Sequence, residues 1–278
     1  MDAVEVKGFS KNYGSTLAVK NISFTIHEGE IVGFVGKNGA GKTTTLRTIT
    51  NMIFPSSGEI NVYGMDCVKQ SKEIKKILSY MPGDSSFYEH FTARDIFSVC
   101  IKFSSESFEK AKELSEYFEL DMDKKISGLS LGNRKKVSII QAFLKDAKVY
   151  IFDEPTNGLD PLMQEKFFAL VKEKKEQGCA VFLSSHNMSE VEKYCDRVII
   201  IKDGEIIDTV SPETERKNRP LYVAYKTADG REMTFDFKGD VNELIERLHK
   251  EKLMAVEIRP KTVEEEFIKY YSDDGEEK

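Results

Sequence analysis

The 278-residue chain has no tryptophan, four histidines, seven prolines and four cysteines. Cys67, Cys100, Cys179 and Cys195 stand far apart without any Cys-x-x-Cys spacing, which argues against a zinc site or a disulfide framework and for a reducing compartment. No apolar run approaches the ~18 residues of a membrane span, and the opening "MDAVEVKGFS" begins with acid and lacks an apolar signal core. If the protein serves a membrane, another chain is expected to cross it. Basic excess is missing too. The formal charge is −6, from 41 Lys and Arg against 47 Asp and Glu, so a protein that works by coating nucleic-acid phosphate is disfavoured. Internal repeats and low-complexity tracts are also missing.

What is there reads as an α/β protein. The chain is 40 % hydrophobic, enough to fill the core of one large domain with a small appendage. Short apolar runs, "EIVGFVG", "LSYMP", "KVYIFDE", "CAVFLSSH" and "DRVIIIKDG", read as strands, and longer segments of helical period alternate with them. Between Phe91 and Leu120 helix follows helix, which predicts a helical subdomain inserted over about residues 84–145. The polar, proline-bounded "SPETERKNRP", residues 211–220, reads as a linker. It separates residues 1–210 from a small ββαβα unit at 221–271, which includes "TVEEEFIKYY" and precedes the acidic tail 272–278, expected to be disordered.

The densest chemistry lies in "GFVGKNGAGKTTT" at residues 33–45. Gly36, Gly41, Lys42 and Thr43 satisfy GxxxxGK[ST], placed after a strand and opening a helix. Glycines let backbone N–H groups from Gly36, Lys37, Asn38, Gly39, Ala40 and Gly41 to Thr44 turn inward around phosphate oxygens, and the helix N-terminus adds partial positive charge. Lys42 is expected at the β and γ phosphates and Thr43 on Mg²⁺. "VYIFDEP" ends an apolar strand in two acids, costly to bury as structure but suited to a metal site. Asp153 would hold Mg²⁺ through water, and Glu154 would polarise an attacking water.

Together these stretches resemble the ATP-binding subunit of an ATP-binding cassette (ABC) transporter, over residues 2 to about 210. "NYG" carries Tyr13 where the family places an aromatic on adenine, and "GLSLGNRKK" stands at the signature motif. "NGLD" stands at the D-loop and "SSHNMSEVE" at the switch histidine. Taken alone, Tyr13 reads more readily as a loop or core tyrosine, Ser130 as a helix N-cap and His186 as structural, so their weight comes from the motif context. The resemblance implies a P-loop NTPase ABC cassette with an inserted helical subdomain and a small C-terminal α+β appendage. It also implies that Ser130, Gly132 and Asn133 face the γ-phosphate held by a second subunit. His186 would contact that phosphate and the attacking water, and Asp160 would lie at the dimer seam.

Two positions depart from the family. The signature reads Leu129, Ser130, Leu131, Gly132, Asn133, without its first glycine, and Gly83 stands where a glutamine normally contacts Mg²⁺ and water. Either the adjacent Asp84 serves as the metal ligand or waters complete the shell. "EIRPKTVEEEFIKYY" resembles the ending of ABC-2 type exporter cassettes. The implied protein is an ATPase using ATP and Mg²⁺ that dimerises on ATP. It would power export of drugs or peptides through a separately encoded membrane subunit, at the cytoplasmic face of the membrane and without nucleic acid. The alternatives are import, lipid or polysaccharide movement, or a non-transport nucleotide-dependent switch.

Overall fold

The computed structural model describes residues 1–84, 86–103, 107–214, 219–262 and 265. Its strands are β1 (Asp2–Tyr13), β2 (Thr16–His27), β3 (Ile31–Val35), β4 (Ser57–Val62), β5 (Met65–Asp66), β6 (Leu78–Met81), β7 (Val149–Asp153), β8 (Ala180–Ser185), β9 (Arg197–Lys202), β10 (Glu205–Val210), β11 (Leu221–Thr227), β12 (Glu232–Phe237) and β13 (Leu253–Pro260). Its helices are α1 (Lys42–Ile49), α2 (Ser71–Ile77), α3 (Ala93–Phe103), α4 (Phe108–Tyr117), α5 (Leu131–Leu144), α6 (Pro161–Glu176), α7 (Met188–Tyr194) and α8 (Val241–His249). The acidic tail and most of "TVEEEFIKYY" lie outside the described residues, as do residues 215–218 of the expected linker.

A six-stranded sheet of order β10-β9-β3-β8-β7-β6 is parallel from β9 to β6, with β10 returning antiparallel at its edge. Strands covered on both faces must be apolar at every position, and β3, β7 and β8 are buried along their whole lengths. Alternate residues serve opposite layers. Tyr150, Phe152, Val181 and Leu183 pack with α5, α6 and α7, whereas Val149, Ile151 and Phe182 join the layer formed by α1 and a second sheet. That second sheet, antiparallel in the order β2-β1-β4-β5, was not legible as strands in the sequence.

Glycine sets the seating of α7. A Cβ on Gly33 of β3 would fall 2.2 Å from Val191 Cγ1 and 3.1 Å from Cys195 Sγ, so the helix lies directly on bare backbone. In the insertion, α3 and α4 pack against α5, whose inner face carries Val137, Ile140 and Phe143. Beyond β10, a third sheet of order β12-β11-β13 covers its own small core of Val223, Leu244 and Leu248 with α8. Arg219 Nη2 reaches Glu192 on α7 at 2.6 Å.

Candidate functional site

The phosphate-loop sequence runs from the end of β3 into α1 and folds around its own lysine. Lys42, 6 % exposed, donates from Nζ to Gly36 O at 2.5 Å and to Lys37 O at 3.3 Å. The glycines are needed for different reasons. Gly39 and Gly41 have φ of +85° and +104°, a left-handed backbone open mainly to glycine. Gly36 is required by space, because a Cβ there would lie 2.3 Å from Ile201 O in β9. Ala40 turns its methyl inward, while Lys37, Asn38, Gly39, Gly41, Lys42, Thr43 and Thr44 line a 180 Å³ cavity with Glu154.

Asp153 ends β7 only 1 % exposed, and a carboxylate buried so deeply is costly without hydrogen-bond partners. Thr43 Oγ1 donates to its Oδ1 at 3.1 Å, and Ser184 Oγ donates to the same atom at 2.6 Å. Ser184 Oγ also accepts from Glu154 N at 2.9 Å, across the register that pairs Asp153 with Ser184. Glu154 then leaves the strand with φ +47°, an uncommon conformation for a side-chain-bearing residue. This turn puts Oε1 3.4 Å from Lys42 Nζ and Oε2 2.9 Å from His186 Nδ1, with Asn157 Nδ2 donating to Oε2 at 3.4 Å. Hydroxyl and carboxylate oxygens converging at Thr43 and Asp153 are the hard donors that Mg²⁺ takes, in company with phosphate and water.

A second cavity, 250 Å³, adjoins the first and is lined by Thr43, Arg47, Asp84, Lys135, Asp153 and Glu154, with Gly83, Leu131, Asn157 and Gly158. Asp84 is exposed on its rim. A Cβ on Gly83 would meet Asp153 O at 3.3 Å and Asp153 Oδ2 at 3.5 Å, so this loop sits hard against the acid. Lys135 Nζ donates to Gly83 O at 3.0 Å.

The remaining sequence-predicted residues do not themselves line either cavity, although Leu131, between Ser130 and Gly132, and Gly158 border the second. Tyr13, at the end of β1, is 49 % exposed, with Lys11 Nζ 5.2 Å from its ring centroid. Ser130 caps α5, its hydroxyl accepting from Asn133 N at 3.3 Å, and Gly132 follows in the first turn. Asp160 caps α6, accepting from Met163 N at 3.0 Å. Ser130, Gly132, Asn133 and Asp160 line neither cavity. Sequence reasoning missed Ser184, Lys135, Arg47 and Asn157. For Lys135 a signal existed: it falls in helical phase with Ile139 and Ala142 on the buried face of α5.

Residues 19–157 match the family described as ABC transporter, and residues 125–192 also match one described as AAA domain, putative AbiEii toxin, Type IV TA system. The chain is 32 % identical over 232 residues to the bacitracin transport ATP-binding protein BcrA of Bacillus licheniformis, covering 81 % of this chain and 75 % of that one. It is 37 % identical over 201 residues to the ABC transporter ATP-binding protein NatA of Bacillus subtilis, covering 68 % and 80 % respectively. Among solved structures it is similar to the dimeric structure of MJ0796, a bacterial ABC transporter cassette. That match has a TM-score of 0.70 and 25 % identity, and it covers 75 % of this chain and 98 % of that chain.

Proposed function

Because this chain belongs to the ABC transporter family, as an ATP-binding and ATP-hydrolysing subunit, we propose that two copies close on ATP and power export of drugs or peptides through a separately encoded membrane subunit. The observation that carries this reading is the Thr43–Asp153 pair set beside the Lys42–Glu154–His186 chain, the two joined through Ser184 Oγ, which donates to Asp153 and accepts from Glu154 N. Backbone N–H groups of residues 36–44 and the Lys42 ammonium hold the phosphates. Thr43 and Asp153 would hold Mg²⁺, which when bound supplies positive charge to the β and γ phosphates. Glu154 polarises the attacking water, and His186, 2.9 Å from Glu154 Oε2, fixes the direction in which that carboxylate points. Asp84 is the candidate for a further metal contact, with waters the alternative.

Ser130, Gly132 and Asn133 at the start of α5, and Asp160 at the start of α6, are the surfaces we assign to the second copy. None of the four lines the cavity formed by the phosphate loop of its own chain, which supports a site completed in trans. The cargo class rests on the likeness to BcrA, a bacitracin transport ATP-binding protein. Among the described residues no helix is long and apolar enough to cross a membrane, which supports a separate membrane partner and a peripheral position on it. We assign residues 1–210 to the cassette, with the helical subdomain over about 84–145, and residues 221–271 to an appended unit. The separate core of Val223, Leu244 and Leu248 supports that boundary.

ATPase rates of the purified chain, and of the chain recovered with its partner from membranes, test the reading. Mg-ATP hydrolysis that rises in the complex is expected. ATP binding without hydrolysis in both preparations would favour a nucleotide-dependent switch. For the adenine contact, Tyr13→Ala should weaken ATP binding by roughly 1 kcal/mol, about fivefold, because an aromatic face contributes on that order. Tyr13→Phe should bind like the native chain. Equal affinities for all three proteins in equilibrium titration would remove the stacking role.

A further inference from the structure

Lys135 is the one charged residue that α5 buries. It is 5 % exposed, and an ammonium so placed is costly unless it is paired. Its hydrogen bond to Gly83 O uses one of three donors, and the side chain lines the same 250 Å³ cavity as Asp84, Asp153 and Glu154. We propose that Lys135 is a positioning residue for hydrolysis: it clamps the Gly83 carbonyl, and with it the loop carrying Asp84, against Asp153, and it supplies a fixed positive charge to the three carboxylates. The inference rests on the ATPase reading and adds a component to the same site.

Three observations bear on it. The Gly83 loop approaches Asp153 so closely that a single added carbon would sit 3.3 Å from Asp153 O, and the Lys135 bond accounts for that seating. Burial lowers the Lys135 pKa, and the charges of Asp153, Glu154 and Asp84 offset that in part, so the three acids face the ammonium across the cavity. Formal charge in the cavity is two cations, Arg47 and Lys135, against three carboxylates, a balance of −1 that becomes −2 without the lysine. In a cavity with low-dielectric walls a change of one charge is felt strongly by ions that enter. Lys135 therefore opposes cation entry and favours the nucleotide anion.

The test uses the full chain. Lys135→Met keeps the length and removes the charge, and Lys135→Gln keeps a donor for Gly83 O. Lys145→Met is the control, since that half-buried lysine at the far end of α5 donates to Leu78 O at 2.9 Å and to Lys75 O, outside the cavity. Lys135→Met is expected to lower the Mg²⁺ concentration for half-maximal turnover at least threefold and to weaken Mg²⁺-free ATP binding at least threefold. Its kcat at saturating Mg-ATP should fall about tenfold or more, with Lys135→Gln regaining part of kcat but not the Mg²⁺ dependence. Lys145→Met should lower only the melting temperature. Lys135 variants that behave like Lys145→Met, that lose kcat with no change in Mg²⁺ dependence, or that both fail to fold in the presence of ATP would overturn the proposal. A native chain that neither binds nor hydrolyses ATP would instead overturn the reading beneath it.

Discussion

Glu154→Gln should retain ATP binding, lose ~10²-fold or more of turnover, and accumulate as a dimer in Mg-ATP, the usual scale for removing a general base. Glutamine keeps the length of the side chain and an oxygen for the Asn157 contact, so the turn at φ +47° need not move. It cannot take a proton from water, and it removes the negative partner 3.4 Å from Lys42. Neither loss touches the backbone N–H groups that hold phosphate. Closure without hydrolysis should therefore trap the two-copy state. Gel filtration with Mg-ATP that returns only monomer would count heavily against a site completed by a second copy, and turnover within threefold of the native rate would remove Glu154 from the mechanism.

Gly36→Ala should cost stability on the order of 3 kcal/mol and weaken ATP binding at least tenfold. Overpacking a core ordinarily costs about 1–3 kcal/mol, and this contact lies at the upper end because the obstacle is backbone. The added carbon would lie 2.3 Å from Ile201 O, 3.0 Å from Ile201 Cγ2 and 3.1 Å from Ala40 Cβ. Ile201 is fully buried in β9, so the loop must move instead. The same loop offers Lys42 its shortest acceptor, Gly36 O, and displacing it moves the ammonium that meets phosphate. Gly39→Ala is the comparison: its added carbon meets nothing within 4 Å, leaving only the strain of a left-handed alanine, about 1 kcal/mol. Thermal melts with nucleotide titrations separate the two. Equal melting temperatures for both variants would show that the contact with β9 is not what requires Gly36.

The parallel sheet was legible because its strands lie between two layers, and burial on both faces leaves unbroken apolar runs such as "KVYIFDE" and "CAVFLSSH". The antiparallel sheet was not. β1 pairs with β2 through four register shifts, which scramble the two-residue alternation that marks a half-buried strand, and β4 is half exposed "SGEINV". At the site, the phosphate loop could be read because its chemistry is local, eight consecutive positions with one purpose. The bridge from Ser184 to Asp153 could not, since it depends on the pairing of β7 with β8 across 31 residues of chain. Lys135 lay in plain view within "GNRKK", yet a lysine in a basic run looks solvated until the helix phase turns it inward. Gly36 was read as a phosphate-binding glycine, and the carbonyl of Ile201 supplies the steric reason that no local motif contains.

The alternation of β7 between two layers also decides how substitutions there combine. Val149 and Ile151 answer to one packed neighbourhood, and Tyr150 and Phe152, whose rings stack at 6.0 Å, answer to another. Neighbours in sequence are thus strangers energetically, while residues two apart share partners. Independent sites add their effects and residues in contact do not. For this strand, epistasis follows the parity of the residue number rather than distance along the chain, so drift can rework one layer of the protein while the other keeps its packing.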